Sequence, residues 1–140
     1  MPLYVRDVMV PAKSVRGDQP LQVALDLMAE NSYDQIPVTE GDDGPLIGVI
    51  SYRFLSEDRI SYQFGPIPGE PTRDSMRPRS RLPKQMVSEG GNEAVDDELL
   101  RYYYKNDFIL VVDSQRCVSG IAQLWDVANG LLHLPRPEGP

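Results

Sequence analysis

With 140 residues the chain has room for one ordinary domain or two very small ones, and a unit of half that length has too little core to stand comfortably alone. An apolar fraction of 41% beside 25% charged residues is the profile of a folded globular protein and not of a disordered segment. Fourteen Lys and Arg against 21 Asp and Glu leave a net charge of −7, which repels polyanions and argues against a nucleic-acid partner.

The chain opens on Asp7-Val8-Met9-Val10-Pro11, a pattern that recurs as Asp74-Ser75-Met76-Arg77-Pro78. Val23, Leu27 and Met28 then repeat at helical spacing, which predicts an amphipathic helix from Pro20 to about Asn31 with Asp18 as N-cap. Gln35 to Thr39 and Leu46 to Ser51 are short apolar runs around Gly41-Asp42-Asp43-Gly44, the signature of a hairpin. Tyr52 to about Arg59 reads as a second helix. The stretch Gly65-Pro66-Ile67-Pro68-Gly69-Glu70-Pro71 can hold neither helix nor central strand, so residues 63–72 are taken as a linker after a first unit of residues 1–62. The basic run Arg73 to Lys84 follows, broken by prolines and read as solvated.

The second unit, residues 73–134, repeats the order. A helix is expected from Asn92 or Glu93 to Tyr104, strands over Phe108 to Val112 and Cys117 to Ala122 about the turn Asp113 to Arg116, and a last helix over Leu124 to Leu132. Residues 135–140 form a Pro- and Gly-rich tail expected to fray. Ile36-Pro37-Val38 corresponds to Ile109-Leu110-Val111, and Gly48-Val49-Ile50 to Gly120-Ile121-Ala122, so an ordered series of matches relates the halves. The fold class is α/β (α+β): two β-α-β-β-α units, each with one sheet face covered by helices and the other needing cover, packed sheet to sheet about a pseudo-two-fold axis. Of Tyr102-Tyr103-Tyr104, one or two can enter the core, and Trp125 reads as a packing anchor more than a ligand platform.

Catalytic chemistry finds no support. Cys117 is alone, which excludes an intrachain disulfide and a multi-Cys zinc site, and nothing local pairs it with the single His133. Asp96, Asp97 and Glu98 are consecutive on a helix and read as solvated, so neither catalytic residues nor a metal site is assigned and no cofactor is required. No apolar stretch approaches the ~20 residues of a membrane span, and the N-terminus lacks the apolar core of a signal peptide, so a cytoplasmic protein without membrane insertion is expected.

The set Asp-x-Met-x-Pro, a helix, a segment ending Pro-Val, a turn and Gly-Val-Ile-Ser resembles the cystathionine β-synthase (CBS) domain, well over the first half and more loosely over the second. A tandem CBS pair, or Bateman module, is thereby implied. The resemblance implies a regulatory module with clefts between its halves for adenosine compounds such as AMP, ATP or S-adenosylmethionine, and a homodimer acting on a regulated protein partner. The family's ribose aspartate falls on Asp126, with Gln123 in place of the usual Ser or Thr; the same cleft would gather Lys13, Tyr33, Asp34 and Ile36. Asp126 also has a simpler reading as a helix N-terminal acid. The second, weaker site keeps Ser51 but has Phe54 where the aspartate belongs, which closes it to ribose. Asp107 or Phe108 stands where phosphate-binding relatives carry a base, which points to a nucleoside-like or weakly charged ligand. The alternative is a ligand-free dimerisation or docking module with degenerate pockets.

Overall fold

The computed structural model describes residues 2–59 and 68–133. The expected linker falls partly, and the expected tail wholly, outside them. In chain order the elements are α1 (Val5–Val8), β1 (Val15–Arg16), α2 (Leu21–Asn31), β2 (Gln35–Thr39), β3 (Leu46–Ser51), α3 (Tyr52–Arg59), β4 (Arg77–Pro78), β5 (Val87–Glu89), α4 (Asp97–Tyr102), β6 (Phe108–Val112), β7 (Val118–Gln123) and α5 (Leu124–Leu132). They form a four-stranded sheet ordered β1-β2-β3-β4 and a three-stranded sheet ordered β5-β6-β7. The two hairpins are superimposable in pairing: Gln35 lies opposite Ser51 in the first, Phe108 opposite Gln123 in the second.

Burial explains why two sheets pack rather than one. Ile36, Val38 and Ile50 lie beneath Leu21, Ala24 and Met28 of α2 in a core whose buried residues all come from the first half, with Met76 of the second packed against it. Leu46, Val49 and Phe54, from the same half, instead join Phe108 to Val112, Ile121 and Val127 in a second core. Each sheet is thus apolar on both faces, and the face without its own helix is satisfied by the other half.

The opening motifs exchange places. Val10 pairs with Ile121 through reciprocal backbone bonds of 2.8 and 2.9 Å, so the start of the chain borders the second sheet. In return, Arg77 and Pro78 pair with Val49 and Gly48 on the first sheet. The repeated glycines make this crossing possible. A Cβ on Gly48 would lie 2.6 Å from the Arg77 carbonyl oxygen and the same distance from the Met76 sulfur, and one on Gly120 would lie 2.8 Å from the Val10 carbonyl oxygen and 3.0 Å from the Met9 sulfur. The Met-x-Pro segment of one half and the glycine strand of the other are therefore one contact, made twice.

Three local expectations are corrected. Asp18 does not cap α2: its carboxylate takes a 3.0 Å bond from Arg16 Nε, and the helix begins after Pro20. The helix expected from residue 92 is only six residues, starting after Asp96, whose side chain accepts from the Leu99 amide. The residues before it are taken by the N-terminal segment, since the Val5 amide donates to the Glu93 carbonyl at 3.0 Å and the Val95 amide to the Leu3 carbonyl at 2.7 Å. Trp125 is not a packing anchor, being 64% exposed. Tyr102 and Tyr103 enter the core and Tyr104 stays outside. Among the described residues no helix is long and apolar enough to cross a membrane.

Candidate functional site

The break between β7 and α5 places three side chains at one end of the intersheet seam. Asp126 sits at the third position of α5, where its Oδ2 accepts from the Gln123 amide at 2.8 Å and so fixes the carboxylate at the helix start. The residue is 8% exposed, and burial pushes its carboxyl above the ordinary aspartate range, partly opposed by that amide. Gln123 and Trp125 flank it, and all three line a cavity of about 190 Å³. The first half closes the other side. Tyr33 and, on β2, Gln35 and Pro37 form one wall, while Val10 to Lys13, held by the pairing to Ile121, form the rim. The Lys13 ammonium donates to Asn31 Oδ1 at 3.2 Å.

Of the residues proposed from sequence, Asp126, Gln123, Lys13 and Tyr33 therefore surround one cavity. Asp34 and Ile36 do not line it. The Ile36 side chain is fully buried under α2, because alternation along β2 sends it to the opposite face from Gln35 and Pro37. Asp34 is exposed, and its carbonyl accepts from the Tyr52 amide at 3.3 Å.

The pseudo-symmetric positions look different. Ser51 caps α3, accepting the Phe54 amide at 2.9 Å, and Phe54 occupies the place that Asp126 holds on α5. Its ring is 6% exposed and meets Phe108, the counterpart of Gln35, at 6.4 Å between centroids. The Arg77 guanidinium lies over the Phe54 ring at 3.8 Å. It is held there by two bonds to Asp58, of 2.8 and 3.1 Å, and one of 3.0 Å to Glu57. Arg53 ties the same helix to the second half through the Lys105 carbonyl at 2.8 Å and Asp107 at 3.5 Å. One end of the seam is an open, largely apolar cavity with Asp126, Gln123, Gln35 and Lys13 as its polar groups; the other is packed with two phenylalanines under an arginine. Among the described residues no group of His, Cys, Asp and Glu is arranged to hold a metal ion.

The family model for the CBS domain matches residues 5–53. The whole chain also superposes on the CBS domain protein TA0289 from Thermoplasma acidophilum, with a TM-score of 0.71 and 25% identity over 97% of this chain and 71% of that one. The chain has the fold of a tandem CBS pair. CBSX2 in complex with AMP is similar with a TM-score of 0.71 at 24% identity, covering 95% of this chain and 98% of that one. The CBS domain of a bacterial CNNM/CorC family Mg2+ transporter in complex with ATP is similar with a TM-score of 0.65 at 20% identity, covering 92% and 87%. Among curated proteins none matches the sequence.

Within this CBS pair, two residues at the seam carry no motif signal. Gln35 opens β2, and its polarity alone does not say which face of the strand it takes; only the facing second sheet makes it a wall of the cleft. Arg77 stands at a variable position of the repeated motif, and its stacking on Phe54 requires the exchange of the opening segments.

Proposed function

We propose that this CBS pair is a non-catalytic regulatory module that senses an adenosine-containing ligand in the Asp126 cleft, one ligand per chain. The observation that carries the reading is a buried carboxylate at the start of α5, facing a cavity whose walls come from both halves. Such a carboxylate accepts two hydroxyl hydrogen bonds from a ribose, each charge-assisted and of order 1.5–3 kcal/mol. The AMP and ATP complexes of proteins with the same fold support the ligand class. Lys13 is the one cation among the described lining residues, which favours a nucleoside or a weakly charged nucleotide over a polyphosphate. A ligand gripping both walls stabilises one packing of the halves, and a partner protein reads that bias.

The test is thermal unfolding with saturating adenosine, AMP, ATP or S-adenosylmethionine. Ligand at about 100 times its dissociation constant adds about 2.7 kcal/mol, a rise of several degrees in Tm. Asp126→Ala should abolish the rise. No rise with any of these compounds, or the same rise in the variant, overturns the reading.

A second reading, assembly without a ligand, is favoured by α5. Leu124 and Leu131, and likewise Trp125 and Leu132, are seven residues apart and exposed, giving the helix an apolar outer stripe. We assign this stripe to a second copy of the chain, so that a homodimer forms whether or not the cleft holds a ligand.

A further inference from the structure

Gln35 is a polar side chain where packing favours an apolar one. It is 4% exposed, it lines the same cavity as Asp126, and among the described residues its carboxamide has no hydrogen-bond partner. The register of the two hairpins gives a direct comparison: Gln35 lies opposite Ser51 as Phe108 lies opposite Gln123, so the two occupy the same place in the two halves. In the packed cleft that place holds a ring against Phe54. In the open cleft it holds an unbonded amide. The amide is not sealed in the core, Arg79 Nη1 being the one enclosed and unpartnered side-chain atom among the described residues; it faces the cavity and is free to pair with a molecule that enters there.

We propose that Gln35 is the specificity-determining residue of the cleft, pairing with a ligand edge that sets a hydrogen-bond donor beside an acceptor, as the 6-amino group and adjacent ring nitrogen of adenine do. A carboxamide presents the complementary pair, an N–H donor beside a carbonyl acceptor, and reads that edge with two bonds. The assignment rests on the nucleoside reading above, in which Asp126 takes the sugar; Gln35 lies on the opposite wall and takes the base. A ligand without the amino group leaves the Gln35 carbonyl unpaired, and a site built on such a bond discriminates against the analogue that lacks it.

Isothermal titration with adenosine and with 9-ribosylpurine, which lacks the 6-amino group, tests this in three proteins. Wild type should bind adenosine about tenfold more tightly than the analogue. Gln35→Leu should bring the two affinities together, and its unliganded form should melt no lower than wild type, because an apolar side chain suits the site. Gln35→Met, closer in length, serves if the leucine variant does not fold. Asp126→Ala should weaken both ligands and preserve their ratio. Equal binding of the two nucleosides by wild type, or a tenfold preference that survives Gln35→Leu, overturns the assignment while leaving the sensor standing. Failure of wild type to bind either nucleoside overturns the sensor and the assignment together.

Discussion

Replacing Phe54 by alanine should destabilise the chain by about 4 kcal/mol. The ring is 6% exposed, and Phe→Ala at such a site costs about 3–5 kcal/mol from lost transfer energy plus the cavity left behind. Two contacts place the value within that range. The tilted pair with Phe108 contributes about 0.5–1.5 kcal/mol beyond its area, and Arg77 stacked at 3.8 Å contributes about 0.5–2 kcal/mol. Relaxation is limited, because Arg77 is pinned by Asp58 and Glu57 and cannot swing into the hole. Urea unfolding at neutral pH measures the change, with an unchanged slope showing that the same surface is exposed. A double-mutant cycle with Arg77→Ala should return a coupling of about 1 kcal/mol for the stacked pair. Adenosine binding by the Asp126 cleft, at the other end of the seam, should survive in the alanine variant. A loss below about 1.5 kcal/mol with an unchanged slope would refute the claim that Phe54 fills the second cleft as core, since surface substitutions cost that little.

Two further outcomes follow from the same packing. Arg77 and then Arg53 hold the Glu57 carboxyl below the ordinary glutamate range, so this group contributes stability above its unfolded pKa and loses it as pH falls through the folded value; because Glu57 is nearly half exposed the effect is small and salt-sensitive, and the urea midpoint of Glu57→Gln should fall less steeply than wild type below about pH 5 at low salt, with parallel curves counting against the ion pairs. Leu132, 79% exposed on the apolar stripe of α5, should mark the contact between copies: light scattering at micromolar concentration should give a dimer mass for wild type and a monomer mass for Leu132→Glu, whereas a monomeric wild type removes the homodimer.

Local patterns in the sequence determined the helix-strand-strand-helix order of each half, with both hairpins and the helices from Tyr52 and Leu124, because period-2 and period-3.6 alternation and turn residues act over a few neighbours; α1 and β4 carry no such pattern. The resemblance to the CBS domain, laid over the two glycine segments, exposed the asymmetry between Asp126 and Phe54, and in the structure each occupies the third helical position after a glycine strand. Only the tertiary structure decided which residues of β2 face the cleft. All five residues of that strand are buried, so no alternation in polarity distinguishes the face under α2 from the face against the other half, and Ile36 and Gln35 exchange roles accordingly. Tertiary pairing also decided the short α4, whose expected first turn is spent on the N-terminal segment, and the exchange of opening motifs that seats Arg77 on Phe54. These outcomes depend on which strand edges and sheet faces remain unsatisfied after the local elements form, a property of the assembled chain that no window of neighbouring residues contains.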